Sequence, residues 1–226
     1  MAFKGYSAEA LRFLRDLAKN NERAWFYSRK PIFERELLEP WRAMVADLSA
    51  AMRKAKIPLG SDTKGRTFRI YRDIRFSADK SPYKTNLGAF LTHGEGDTPG
   101  GLYIHIQPKE SFFAAGFYQI DAPLLQRWRE AMAAKPAQFQ RVLEALKRNG
   151  AHVRTAKESD AALKRMPKGF EAYAKSPIAD YFRLKSFMAS EQLTDGDVGS
   201  PRLITRAVAF AKKVKPLLEY GWSLTR

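Results

Sequence analysis

The chain has 226 residues with 40 Lys plus Arg against 24 Asp plus Glu, a formal net charge of +16, and no cysteine, which excludes disulfides, thiolate nucleophiles and cysteine-based metal sites. Its 45% hydrophobic and 28% charged content is that of a globular protein, without biased tracts or repeats, and the length fits a single domain over 1–226. No run approaches the roughly 20 apolar residues of a membrane span and the first residues contain no apolar signal region, so a cytoplasmic protein without membrane association is expected.

Ser7 can cap a first helix whose Leu11, Leu14 and Leu17 share one face, with Asn20 and Asn21 as stop residues. A longer helical region follows with Leu37, Trp41, Met44, Val45, Leu48 and Met52 at helical spacing, Pro31 or Pro40 suiting its first turn and Gly60 its far limit. Trp25 and Phe33 are expected to bury against the sheet. From Thr67 the hydrophobic period changes to two, predicting short strands over 67–76, 86–92, 102–107 and 111–118, separated by turn clusters.

Asp121 and Pro123 then open a helix, and Pro136 opens another that Gly150 closes. A strand through LKSFM is expected in the irregular 151–200 stretch. Ser200 and Pro201 launch a last helix through Val214. Helices, then strands, then helices predict an α+β fold: a central antiparallel meander flanked by N-terminal and C-terminal helices.

The segment Phe68 to Lys84 gathers Arg69, Arg72, Arg75, Lys80 and Lys84 around Asp73 and Asp79, with Tyr71 and Tyr83 interleaved. Read as a strand, 68–76 turns Phe68, Ile70, Ile74 and Phe76 to one face and Arg69, Tyr71, Asp73 and Arg75 to the other. Arg72 falls on the apolar face, where an unpaired guanidinium is costly. It therefore requires a partner, Asp79 or a bound anion, unless the strand bulges. Arginine forks match phosphate and carboxylate oxygens, so Arg69, Arg72, Arg75 and Lys84 are candidate anion ligands, with Lys30, Lys168 and Lys185 at the rim. His105 shares a strand face with Tyr103 and Gln107 and can join that pocket as a ligand or an acid–base group. Asp73, Asp79, Lys80 and Tyr83 are the catalytic candidates.

Other chemistries find less support. Ser77 and Lys80 form S-x-x-K without its companion motifs, and His93, His105 and His152 lack metal-site spacing. Asp73 and Asp79 are better used on the arginines than on magnesium, so no metal is assigned. Neither a Walker A loop nor a GxGxxG fingerprint occurs, and no cofactor is identified. The aromatics Trp25, Phe26 and Tyr27 beside Arg23, Arg29 and Lys30 have core spacing rather than the look of a base-stacking platform.

The run from Arg69 to Lys84, RIYRDIRFSADKSPYK, resembles the signature of an uncharacterised bacterial and fungal family built on a domain of unknown function. The likeness extends to Asn20, Asn21, Arg23, Trp25, Phe26 and Lys30, to Leu163–Phe170 and to Leu184–Phe187. It implies a single domain of this size, with the segments around Trp25, Arg72 and Lys168 assembling at one place, and brings no activity, cofactor or catalytic assignment.

Three readings follow. The first is a basic pocket binding an anionic, phosphate-bearing small molecule, with or without catalysis. The second is a nucleic-acid-binding module, for which the net charge of +16 is the main argument, tempered by its being spread along the chain rather than concentrated. In the third, the Arg and Asp motif is a buried ion-pair lattice in a structural or protein-interaction domain.

Overall fold

The computed structural model describes residues 2–60, 68–94 and 98–225. Up to Lys54 the chain is mostly helical, for the local reasons expected. The Ser7 hydroxyl accepts from the Ala10 amide at 3.0 Å and starts α1 (Ala8–Lys19), which ends at Asn20 with Leu11, Leu14 and Leu17 buried. α2 (Arg23–Phe33) and α3 (Glu39–Lys54) are joined by a single wide turn, Glu34–Leu38, in which the Glu39 amide donates to the Glu34 carbonyl. Pro40 explains the widening: it has no N–H for the carbonyl four residues back, and its ring excludes the regular turn. The helical region thus begins earlier than expected, placing Pro31 inside α2. Trp25 and Phe33 pack on Phe13 of α1, with ring centres 5.4 and 6.1 Å away, rather than on the sheet.

The described strands form one antiparallel sheet in sequence order: β1 (Leu59–Gly60), β2 (Leu87–His93), β3 (Gly101–Ile106), β4 (Phe112–Phe117) and β5 (Phe187–Gln192). Three strands lie where alternation predicts them. The strand expected near LKSFM starts later, at Phe187, and runs to Gln192 beside β4. The fourth expectation fails: 68–76 forms no strand, only an isolated bridge between Tyr71 and Tyr83. Between β4 and β5 come α4 (Ala122–Ala134), capped by Asp121 accepting from the Leu124 amide at 2.8 Å, and α5 (Pro136–Arg148). After them lies the one-turn α6 (Ala179–Phe182). α7 (Asp195–Val198) and α8 (Arg202–Ser223) end the chain, α8 continuing through Pro216 beyond Val214.

Strand register sorts the side chains onto two faces. Ala89 opposes Ile104 and Ile104 opposes Phe113; Leu91 opposes Leu102, which opposes Ala115. All six are buried on the helix side. There Phe210 of α8 stacks on Phe113 at 5.8 Å, and Trp128 of α4 lies parallel to Phe187 at 3.9 Å. Each such ring contributes on the order of 1.5–3 kcal/mol by leaving water. α8 approaches so closely that a Cβ on Gly221 would stand 2.1 Å from the Phe117 ring. The opposite face is less covered by the described residues: Phe90, Tyr103, His105, Phe112 and Met188 are only partly buried, and the candidate site lies on that face. Among the described residues, no helix is long and apolar enough to cross a membrane.

Candidate functional site

Residues 68–84 fold back on themselves as a loop held at its neck by the Arg72 amide donating to the Pro82 carbonyl at 2.9 Å and the Lys84 amide donating to the Ile70 carbonyl at 2.7 Å. The loop is pinned to the helices from 62 residues away. The Asn21 amide group donates to the Tyr83 carbonyl and accepts from the Tyr83 amide, both at 3.0 Å. The Phe26 ring stacks on the Tyr83 ring at 4.2 Å. Of the three segments expected to assemble, those around Trp25 and Arg72 therefore meet. The Lys168 segment makes its contacts elsewhere, through Phe170 on Phe182 and the Leu163 amide on the Arg183 carbonyl.

Inside the loop the carboxylates staple the chain. Asp79 accepts from the Ser81 hydroxyl at 2.6 Å and amide at 2.9 Å, and from the Arg72 guanidinium. The Ser81 donors and then Arg72 hold its carboxyl well below the usual range. The partner that Arg72 required is thus Asp79. Asp73 accepts from both Nε and Nη2 of Arg75, at 2.9 and 2.7 Å, which lowers its pKa as well. This pair is open to solvent, its side chains 77% and 61% exposed, so the motif is not a buried lattice. Lys80 donates to the Ile74 carbonyl at 3.0 Å. Phe76, expected on the apolar face, is 97% exposed because the loop has already turned.

What the loop leaves on its sheet side is a cavity of about 630 Å³. Arg69, Arg72 and Lys84 line it, together with His105, Tyr103 and Asn86. Asp73 is the carboxylate in that lining, and Arg75 engages both its oxygens. Among the described residues, Arg69 and Lys84 form no ion pair; the Lys84 ammonium lies 5.5 Å from the centre of the Phe68 ring. Three cations thus face one space, with Arg72 held by Asp79 and Arg69 close enough to Asp73 to help lower its pKa.

His105 forms the floor. Tyr103 Oη and Asn86 Nδ2 lie 3.0 and 3.4 Å from its Nδ1, and Gln107 Oε1 lies 3.2 Å from its Nε2. Because an amide nitrogen can only donate, the pattern assigns Nδ1 as acceptor and places the ring proton on Nε2, directed at Gln107, whose own amide donates to Glu110. Burial lowers the His105 pKa, opposed by the Gln107 bond, and burial raises that of Tyr103. The pair is neutral near pH 7. It presents a hydroxyl and an imidazole as neutral hydrogen-bonding groups.

Several expected residues stand outside this lining. Tyr83 is fully buried, its hydroxyl in contact with protein rather than with the cavity, and burial raises its pKa. Arg75, Asp79 and Lys80 are consumed within the loop. Lys30 of α2 pairs with Glu34 of the wide turn at 3.6 Å, and Lys168 and Lys185 are exposed and are not among the described residues that line the cavity. Sequence reasoning missed Asn86 and the anchoring role of Asn21. Strand register was the available signal for Gly88 and Phe90, which oppose His105 and Tyr103 and so share their face. Among the described residues no three His, Asp or Glu side chains cluster as metal ligands.

No curated protein and no solved structure matches the chain. The family model described as Conserved hypothetical protein (DUF2461) matches residues 9–220, a stretch that includes the pinned loop, the cavity and the sheet beneath it, and the chain belongs to that family.

Proposed function

We propose that the protein binds an anionic, phosphate-bearing small molecule in the cavity between the 68–84 loop and the open face of the sheet. The observation that supports this reading most is the convergence of Arg69, Arg72 and Lys84 on one space of about 630 Å³ in which the one carboxylate among the described lining residues, Asp73, is held by Arg75. Arg72 provides a fork fixed by Asp79, Lys84 a point charge, and Asn86 and Tyr103 neutral polar groups for further oxygens. His105 is the proton carrier in reach should the bound ligand react, whereas Tyr83 has no path to it.

The concave shape favours a compact ligand over a polynucleotide, whose backbone contacts need an extended basic surface. Thermal-shift and calorimetric titration with inorganic phosphate and with a 20-mer oligonucleotide, each at low and moderate salt, test the choice. Saturable phosphate binding, weakened at least about tenfold in Lys84→Ala at unchanged stability, is the expected result. Binding of the oligonucleotide alone, with a steep salt dependence, would replace this reading by the nucleic-acid one.

A further inference from the structure

The open face of the sheet carries a second cavity of about 1140 Å³, lined mainly by apolar atoms. Strand register accounts for its shape. Phe90 opposes Tyr103, Tyr103 opposes Ala114 and Ala114 opposes Ser190, a row that crosses four strands from bulky to small. The neighbouring rows place Phe112 beside His105 and Gly116 beside Met188. Ala114, Gly116 and Ser190 therefore make a shallow floor against which the rings of Phe90, Tyr103 and Phe112 stand as a wall. Gly116 is required for its backbone: φ is +134°, and a Cβ would meet the Phe187 carbonyl oxygen at 2.0 Å.

The wall is continuous with the basic end. His105 stacks on Phe112, with centres 4.8 Å apart and planes 13° from parallel, and the Tyr103 ring is 6.0 Å from Phe112. Phe90, Tyr103 and His105 line both cavities. One trough thus runs from three cations to a bank of aromatic rings. A bare anion would make no use of the Tyr103 and Phe112 rings, and an uncharged apolar molecule would make no use of the cations.

Resting on the anion reading above, we infer that the ligand is a phosphate monoester of an aromatic alcohol, its phosphate among Arg69, Arg72 and Lys84 and its ring system over Ala114 against Phe90, Tyr103 and Phe112. Flat rings gain from offset and edge contacts with such a wall beyond the area they bury, and burying an aromatic body adds an order of magnitude or more in affinity.

Calorimetry with inorganic phosphate, 1-naphthyl phosphate and 1-naphthol separates the claims. Naphthyl phosphate should bind at least about tenfold tighter than phosphate. Ser190→Trp, an exposed position on edge strand β5 where a large ring is tolerated, should remove that advantage while phosphate affinity stays within about twofold. Ala114→Leu, filling the floor from the next strand, should do the same. Equal affinity for phosphate and naphthyl phosphate would overturn this inference and leave the anion site standing. Failure of phosphate and naphthyl phosphate alike, or binding of naphthol with no gain from the phosphate, would overturn both.

Discussion

Asn21 holds the Tyr83 peptide as a neighbouring strand would, its side-chain amide donating to the carbonyl and accepting from the N–H, both at 3.0 Å. This one residue couples the turn between α1 and α2 to the loop that carries Arg72 and Lys84. Asn21→Ala leaves two partly buried peptide groups without a partner, and the expected loss of stability is about 1–3 kcal/mol. Urea unfolding should show a lower midpoint at unchanged slope, and phosphate affinity should fall along with it because the neck of the loop loosens. A variant as stable as the wild type would mean that water replaces the amide and that the loop positions itself.

Tyr83 is expected to serve packing alone. Its ring stacks on Phe26 and its hydroxyl is buried with no hydrogen-bond partner among the described residues, a situation that costs free energy in the folded state. Tyr83→Phe keeps the stack and removes the orphan, so stability should hold or rise, by up to about 1–3 kcal/mol, with phosphate affinity unchanged. A clear loss of affinity in this variant would return Tyr83 to the site.

These two residues show where the sequence was readable and where it was not. Alternation located β2, β3 and β4 because each has one face on the helices and the other towards solvent, which is the condition that imposes a period of two. The same alternation at 68–76 misled. Ile70 is buried and Phe68 packs against the core, but the return limb contains Pro82, which accepts from the Arg72 amide and has no N–H to give back, so the pairing stops at Tyr71 and Tyr83. The cations of the loop were visible as types; which of them converge was not. Arg75 and Lys80 are turned away by partners two and six residues distant, a matter of turn geometry. Asn21 joins the loop across 62 residues, a separation to which local pattern is blind.

Away from the site, a four-membered ion cluster should control acid stability. Arg206 bridges Asp197 and Glu191, and Lys213 donates to Glu191 at 2.7 Å. Arg206, then the Thr194 amide and hydroxyl, pull Asp197 down to about 2. Glu191 is raised by burial but more strongly lowered by Lys213 and Arg206. Carboxylates depressed in the folded state are protonated first in the unfolded one, so their stabilisation is complete above about pH 5 and is lost as the pH falls towards 2. Arg206→Gln should lower Tm by about 2–4 °C at pH 7, with the gap narrowing as both proteins are taken to pH 2. A gap independent of pH would assign the Arg206 contribution to packing of its alkyl stem.

His105 connects the chemistry of the cavity to pH. Burial lowers its folded pKa beneath the ordinary 6.5. As the pH drops through that value the unfolded chain takes up a proton that the folded chain does not, so the residue stabilises the fold above about pH 6.5 and progressively less below it. An anion held by Arg69, Arg72 and Lys84 would stand beside the imidazole and favour its charged form. Sulfate, whose charge is constant over this range, should therefore raise the His105 midpoint in an NMR titration and bind more tightly as the pH is lowered from 7 to 5. Lys84→Ala should abolish the sulfate-induced rise while leaving the midpoint of the free protein low. If sulfate left the midpoint where it was, the bound anion would have to lie away from His105, and the cavity beneath the 68–84 loop would lose its claim to be the site.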